Sequence, residues 1–379
     1  MPRRGPTLAA FIALGLFFDA WASVLPSVQR ATGASKAGIG FALLFVMLAA
    51  IPSMLFVARP LVDRYGTRVV TLGCAALAAT TTLPGLADSL ALLVLALAVV
   101  GVASGALDVA MNASAGRIEA VSGKRLMPLA HGLYSTGVVA GAIGAGLARS
   151  AGAGRESILL AVTGAIALVA LFTSTDATPI PSDERPGRRI VRALVVVGLV
   201  AAAGFVVEGG IENWSAFFLE RQLHAVPAVS GLGPGFYAAA MAAGRFLGQG
   251  LRLSDRTLLV ASGCCAAGGC VIAAAAGSAP VALAGFVLGG LGVSLNAPLV
   301  FGVAGRRSAA ALATVTTLGY VGLLVGPPLV GLVGQLVGLR IAFLVLAAVA
   351  GLAAAAAASV DAFARAPRSD TASSREAQS

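Results

Sequence analysis

Charged residues are scarce in this chain of 379 residues: they make up 11% of it, whereas a soluble globular protein has roughly 25%. Hydrophobic residues account for 58%, and the mean hydropathy is +0.93. So many apolar side chains cannot be hidden in the core of a water-soluble protein. The composition therefore excludes a soluble globule and indicates a protein whose solvent is a lipid bilayer.

Histidine and cysteine are also few, with two His and four Cys in the chain. The cysteines lie in apolar segments, and none has the spacing to His that a metal site requires. The Gly-rich runs are not followed by a Lys-Ser/Thr pair, so they do not fit a phosphate-binding loop. No set of nucleophile, base and orienting group is recognisable either. We therefore expect no metal, no cofactor and no enzymatic activity.

The net charge of +10 would suggest nucleic-acid binding in a soluble protein. In a membrane protein the same excess arises from Lys and Arg residues retained on the cytoplasmic side. We therefore expect no nucleic-acid partner, and the lipid bilayer is the expected surrounding.

Long apolar segments recur along the chain between Pro, Gly and charge clusters. Crossing a hydrocarbon core of about 30 Å takes roughly 20 such residues in a helix. The pattern predicts an all-α membrane protein with twelve transmembrane helices, near residues 7–28, 37–58, 69–87, 90–115, 128–148, 155–173, 191–219, 232–252, 256–276, 279–304, 308–334 and 339–360.

Two polar stretches divide this pattern. A charged linker at residues 174–190 separates an N-terminal six-helix bundle, residues 1–173, from a C-terminal one, residues 191–360. A polar tail, residues 361–379, follows and is predicted to be disordered.

The positions of the 26 Lys and Arg residues predict the orientation. With the N-terminus inside, Arg245 falls within a helix and 19 basic residues lie on the inner side. The six on the outer side are Arg30, Lys36, Arg149, Arg155, Arg221 and Arg340. Because Lys and Arg concentrate in cytoplasmic loops, both termini are predicted to be cytoplasmic in a bacterial inner membrane.

Short sequence matches relate the two halves. GALDVAMNA from Gly105 matches GGLGVSLNA from Gly289 at an offset of 184 residues, and GLFFDA from Gly15 matches GFVVEG from Gly204 at 189. A third set, at an offset of 185, pairs the glycines 137, 141 and 146 with 322, 326 and 331. The agreement of the three offsets predicts two parallel six-helix repeats.

Carboxylates inside the predicted helices are the first candidates for function, because a charge at the bilayer centre costs about 2.5–3.5 kcal/mol on insertion scales. Asp19 lies about 12 residues into the first helix, and Glu208 is its repeat partner. An acid there can take up a proton from one side and release it to the other. We predict proton coupling through Asp19, Glu208 and Asp108 of the fourth helix. A structural acid bonded to a neighbouring helix is the alternative.

Asp108 and Asn112 are four residues apart, so they share one face of the fourth helix. His131 opens the next helix on the same side. Asn112 recurs as Asn296 in the second half, whereas Asp108 is replaced by Gly292. Asn112, His131 and Asn296 are candidates for substrate binding, and a hydrogen-bonded gate made of Asp108, Asn112 and His131 explains those three residues equally well.

The seventh helix carries Glu208, Glu212, Asn213 and Trp214 within seven residues. Glu212 is a substrate-binding candidate, while Asn213 and Trp214 are expected at the membrane interface. Arg245 lies 14 residues into the eighth helix, too deep to reach the interface easily. It is predicted to pair with an acid, such as Glu208, or with an anionic substrate.

The loop after the second helix, RPLVDRYGTR from Arg59, resembles the signature loop of the major facilitator superfamily. Gly66 holds its usual place in that loop, while Arg59 stands where the family has Gly. The resemblance covers residues 7–360 and implies that fold, with a cytoplasmic charge cluster that latches the two halves. The implied gate consists of Asp63, Arg64, Arg68, Arg117 and Glu119.

Four further segments resemble the fucose-permease-like branch of bacterial carriers: DVAMNASAGRIE, LMPLAHGLYSTG, EGGIENWSAFFL and GRFLGQG. This resemblance implies protonation at Asp19 and Asp108 and places Arg245 in the transport cavity. It also implies a protein that works as a monomer.

Together these observations predict a secondary transporter that moves a small polar solute, a sugar or an organic acid, by alternating access with proton coupling. A drug or metabolite exporter of the same fold is the alternative, although Gly141 is followed by Ala142 and not by the Pro of typical antiporters. A non-transporting membrane sensor is a third interpretation.

Overall fold

The computed structural model describes residues 4–66, 68–122, 126–172, 192–248, 251, 253–305 and 309–359. Their regular structure is helical, and these residues form no strand. Helices suit a bilayer because each satisfies its own backbone N–H and C=O groups. The predicted all-α class is therefore confirmed.

We number the long helices of the described residues α1 to α12. Ala279–Val293 and Asn296–Gly305 are counted as two parts of α10, separated by a turn at Ser294 and Leu295. The helices are α1 Arg4–Thr32, α2 Lys36–Pro52, α3 Arg68–Thr81, α4 Leu90–Ser122, α5 Met127–Ser150, α6 Arg155–Phe172, α7 Arg192–Gln222, α8 Leu232–Gly248, α9 Asp255–Ala275, α10, α11 Ala309–Leu336 and α12 Leu339–Ser359. We call α1–α6 the N-half and α7–α12 the C-half.

Ten helical segments of the described chain are long and apolar enough to cross a membrane. Large apolar side chains cover their outer surfaces: Phe56, Leu171 and Leu352 are 77%, 77% and 71% exposed. In a membrane such side chains face lipid. The helices α5 and α8 are not among the ten, and the predicted linker and tail lie outside the described residues.

The end of α2 departs from a simple helix. Six residues, Ser53–Ala58, form a π-helical turn, and the short helix Arg59–Tyr65 follows. Gly66 ends this helix with a φ of 57°, a backbone conformation that glycine adopts without strain. The glycine of the signature loop therefore lets the chain turn from α2 into α3.

Two helix pairs pack through equivalent glycines. α5 lies against α1, and α11 lies against α7. A Cβ atom at Gly137 would overlap the carbonyl oxygen of Ile12, and one at Gly322 would overlap the carbonyl oxygen of Ala202. Small residues let helix backbones approach closely in membranes. Because Gly137 and Gly322 are related by the sequence offset, the same packing is built in both halves.

We expect Gly137→Ala to lower the free energy of unfolding by roughly 1–3 kcal/mol, because the added methyl group forces α5 away from α1. Gly144→Ala on the same helix is the matched control, since a Cβ there meets no atom within 4 Å. Thermal unfolding of the purified protein in detergent measures both. Equal melting temperatures for the two variants would show that the close packing is not required.

Candidate transport site

A cavity lies between the N-half and the C-half. It contains about 850 Å³ of empty space, including its opening. Residues of α1, α2, α4, α5, α7 and α11 form its wall: Phe17, Phe18, Trp21, Leu43, Val46, Met47, Leu97, Tyr134, Glu208, Glu212, Asn213, Leu323 and Pro327. The wall therefore combines aromatic rings from the N-half with two carboxylates and an amide from the C-half.

Asp19 lies in α1 next to Phe18 of the cavity wall and is 0% exposed. Neither of its carboxylate oxygens has a hydrogen-bond partner in the described structure. Glu212 of α7 lies close enough for the two charges to interact. The indole Nε1 of Trp21, a wall residue, is also buried without a partner. Unpaired buried polar groups are uncommon in proteins, so Asp19 and Trp21 are candidates for a functional role.

The carboxylates of Glu208 and Glu212 are one helical turn apart on α7, and both line the cavity. Asn213 lines it too, and its Nδ2 donates to the carbonyl oxygen of Gly209 at 3.0 Å. The structure thus brings Asp19 of the N-half and the two glutamates of the C-half to one site.

Arg245 of α8 lies near this site. Its charge acts on Glu208, Glu212 and His131, and its Nη2 lies 3.1 Å from the sulfur of Met241. Among the described residues, however, Arg245 makes no ion pair. The predicted pairing with Glu208 is therefore not formed among the described residues, and the pairing with an anionic substrate stays a prediction.

Three tyrosines border the acids, although the sequence analysis did not select them. Tyr134 of α5 lines the cavity, Tyr237 of α8 is fully buried with an unpartnered hydroxyl, and Tyr320 of α11 lies near Asp108. Tyr134 and Tyr237 both lie within electrostatic reach of Glu208. The chain contains only four tyrosines, and this low number is the feature of the sequence that could have marked them as candidates for the site.

The remaining substrate candidates are spread over other places. Asn112 donates from Nδ2 to Oδ1 of Asp108 at 3.1 Å, so its amide binds that acid. His131 is exposed and packs edge-to-face on Phe11, with 5.3 Å between ring centroids. Asn296 is buried within the C-half, where its Nδ2 donates to the carbonyl oxygen of Ala201 at 3.2 Å.

Asn296 borders a separate small space between α7, α9, α10 and α12, which Gly204 and Ser262 also line. It is not a wall residue of the central cavity. The structure therefore brings Glu208 and Glu212 to the cavity and leaves Asn296 away from it.

The predicted cytoplasmic gate lies around the short helix Arg59–Tyr65. Arg64 is exposed and stacks over the ring of Tyr65 at 5.3 Å, and Arg68 is exposed as well. Arg117 is half-buried at the end of α4. The side chain of Asp63 lies outside the described residues.

Glu119 has a local role in this region. Its Oε1 accepts hydrogen bonds from the backbone N–H groups of Leu126 and Met127, the latter at 2.9 Å. The first N–H groups of a helix have no partner within it. Glu119 therefore caps the start of α5.

The prediction that Trp214 anchors the protein at the membrane interface was wrong. Trp214 is 0% exposed, and its Nε1 donates to the carbonyl oxygen of Pro327 at 3.0 Å. Its ring packs on Phe217, with 5.2 Å between centroids. The close approach of α11 to α7 encloses the indole, and Asn213 faces the cavity instead of the interface.

Comparison with known sequences identifies the family. Residues 7–308 match the Major Facilitator Superfamily. The chain is 31% identical to an uncharacterised MFS-type transporter of Yersinia pestis, covering 89% of this chain and 90% of that protein. It is also 31% identical to the membrane protein MosC of Rhizobium meliloti, covering 91% and 87%. The chain belongs to the major facilitator superfamily.

Solved structures show the same fold. A mutant of the nucleoside transporter NupG superimposes with a TM-score of 0.76 at 13% identity, over 95% of this chain and 100% of that one. A bacterial homologue of the human lysosomal transporter Spinster, inward-facing and occupied, gives 0.70 at 17%, over 93% and 94%. The protein is thus a multi-pass membrane protein of a transporter family, and no enzymatic family is indicated.

The lining of the cavity predicts that Asn213 is accessible to solvent and that Asn296 is not. We expect Asn213→Cys to react with a charged thiol reagent in detergent, because its side chain lines the cavity, and Asn296→Cys to be protected by its burial. The exposed Cys264 and Cys265 are replaced first. Mass spectrometry of the labelled protein measures the reaction. Faster labelling at position 296 would contradict the assigned wall.

Proposed function

We propose that this protein is a secondary active transporter that moves a small polar solute, a sugar or an organic acid, across the bacterial inner membrane by alternating access coupled to protons. The observation that carries the proposal is the unpartnered, buried carboxylate of Asp19 beside a cavity that Glu208 and Glu212 line from the other half.

Proton coupling follows from the surroundings of Asp19. A buried carboxylate without a cation or a hydrogen-bond donor is costly as an anion, so taking up a proton is the ordinary way to relieve the cost. The neighbouring charge of Glu212 adds repulsion across the cavity. A proton at Asp19 removes both costs, and the cavity can then pass through the closed states of the cycle. Asp108 and Glu208 are the further proposed proton sites.

The membrane potential can drive this cycle. One elementary charge moved through 100 mV supplies about 2.3 kcal/mol. Since every 1.4 kcal/mol is a factor of ten, one proton per cycle can accumulate a neutral solute about fortyfold, and two protons about two-thousandfold.

The polar groups of the wall support a polar solute. Glu208, Glu212 and Asn213 offer hydrogen-bond acceptors and a donor, and Arg245 provides a nearby cation. The rings of Phe18 and Trp21 provide flat apolar surface of the kind on which a ring-shaped solute packs. We assign substrate contact to this group, while Asn112 orients Asp108, His131 packs on Phe11, and Asn296 supports the C-half.

The architecture proposed for transport has twelve spans. α5 and α8 complete the set: α5 packs along α1, and α8, whose described helix has 17 residues, packs along α5 and α10. The two repeats are residues 1–173 and 191–360, joined by a cytoplasmic linker at 174–190 and followed by the tail 361–379. Both termini are proposed to be cytoplasmic, and the working unit to be a monomer.

One observation favours a second function, the export of cationic solutes. Aromatic rings next to carboxylates are a common binding environment for organic cations, and Phe17, Phe18 and Trp21 share the wall with Glu208 and Glu212. A drug or metabolite antiporter is therefore the second candidate.

A ligand screen distinguishes the two functions. The purified protein is heated with sugars, organic acids and lipophilic cations at pH 6 and pH 8. A ligand at about 100 times its dissociation constant adds roughly 2.7 kcal/mol of stability, which a thermal shift detects. Hits among sugars or acids with tighter binding at pH 6 support the proton-coupled carrier. Hits among lipophilic cations alone support the exporter.

Asp19→Asn tests the proton site with the ligand that the screen finds. We expect the variant to bind this ligand with a smaller difference between the two pH values and to lose proton-driven uptake in liposomes, because its amide takes up no proton while Asp108 and Glu208 still can. Asp88→Asn, which removes an exposed loop acid, is the matched control and should behave like the parent. An unchanged pH dependence in Asp19→Asn would overturn the assignment.

A further inference from the structure

A buried ion pair joins the two halves at one end of the bundle. We call it the outer end, because it carries the connections at residues 33–35, 151–154 and 223–231, which the sequence predicts to face outward. Arg149 at the end of α5 is 3% exposed at its side chain, and Glu220 at the end of α7 is 10% exposed. Nη2 of Arg149 donates to both carboxylate oxygens of Glu220, at 3.1 and 2.8 Å. Because the pair is buried, dissolved salt weakens the attraction between its charges only slightly.

The guanidinium of Arg149 is held in place by its own half. Its Nε donates to the hydroxyl oxygen of Ser27 at 3.1 Å, and its Nη1 donates to the carbonyl oxygen of Ser23 at 2.8 Å. Both acceptors belong to α1. Two hydrogen bonds to the N-half therefore set the position in which the side chain reaches Glu220.

Glu220 forms a second ion pair with the N-half, to Arg30. Nη1 of Arg30 lies 2.5 Å from its Oε1, but the side chain of Arg30 is 48% exposed. Exposed pairs contribute little, typically below about 1 kcal/mol. Removing one partner of a buried pair is far more damaging, because it leaves the other charge buried and uncompensated. Arg149 and Glu220 are therefore the principal pair.

Other hydrogen bonds between the halves lie at the same end. Nη2 of Arg221 donates to Oε1 of Gln29 at 2.6 Å, and Nζ of Lys36 donates to the carbonyl oxygen of Gly334 at 3.3 Å. The backbone N–H of Ala228 donates to the hydroxyl of Ser150 at 2.7 Å. Each bond joins an element of the N-half to one of the C-half, so opening the cavity toward this end must break them all.

We propose that Arg149 and Glu220 form the latch that keeps the outer end closed, with Ser23 and Ser27 as the residues that position it. The proposal rests on alternating access as the proposed function, because a latch has a role only where this end opens. The cytoplasmic charge cluster implied by the signature loop belongs to the opposite end, so the two sets of charges act on opposite gates.

Two reporter cysteines test the latch in the full chain reconstituted in liposomes without solute. Asp88→Cys and Ser278→Cys lie in exposed outer-end loops of the N-half and C-half, and the exposed Cys264 and Cys265 are replaced. Spin labels on the pair report the separation of the halves by pulsed electron paramagnetic resonance. We expect Glu220→Gln to raise the population of long distances about tenfold or more, and Arg30→Gln to raise it much less.

Glu156→Gln is the matched control. It removes a carboxylate that pairs with Arg155 at 2.9 Å at the same end but within the N-half. Its distance distribution should equal that of the parent. If Glu220→Gln does not yield folded protein, Ser27→Ala takes its place, because losing one positioning bond should widen the same distribution to a smaller degree.

The outcomes separate this proposal from the proposed function. Unchanged distances in Glu220→Gln, or the same change in Glu156→Gln, would overturn the latch even in a protein that transports normally. Wider distances in Glu220→Gln alone establish the latch. They would do so even if no solute in the screen were transported, a result that counts against the proposed function only.

Discussion

The close approach of helix backbones at glycine is the contact on which the rest of the structure depends. Gly137 brings α5 onto α1, and Gly322 brings α11 onto α7. Each pair places a helix that carries a candidate proton site, Asp19 or Glu208, along the inner face of its half. Bulkier residues there would widen both halves and separate the carboxylates from one another. In a bilayer no hydrophobic force would push the helices back together, because lipid tails are as apolar as the side chains that they replace.

The pairing of charged groups differs between the middle of the bundle and its outer end. In the middle of the bundle, Asp19 has no partner at all among the described residues, and Arg245 stays apart from the glutamates that it influences. At the outer end, Arg149 and Glu220 bind each other, and the guanidinium also donates to Ser23 and Ser27. Groups that must change their partners during a cycle gain from incomplete pairing, whereas groups that close a gate gain from a full set of hydrogen bonds.

The sequence predicted the fold class, the glycine repeat and the acids of the cavity, because each of these leaves a local trace. A carboxylate such as Asp19 in an apolar run stands out by its cost, and a repeated glycine such as Gly322 stands out by its spacing. Arg149 and Glu220 left no such trace, since each lies near a helix end, where charge is ordinary. Trp214 was placed wrongly for a related reason: its distance from the helix end suggested the interface, whereas the approach of α11 decides its burial. Which asparagine faces the cavity likewise depends on helix rotation, which spacing alone does not give.

The packing of α1 on α5 also has a mechanical consequence. Because the backbones of α5 and α1 are in direct contact at Gly137, we expect the two helices to tilt together as one rigid unit. Arg149 lies about 18 Å along α5 from Gly137, so a tilt of about 10° at the level of the cavity carries its guanidinium through about 3 Å. That displacement is as long as the hydrogen bond itself. If the proposed cycle tilts these two helices, a small rearrangement at the level of the cavity is enough to separate the buried charges of Arg149 and Glu220.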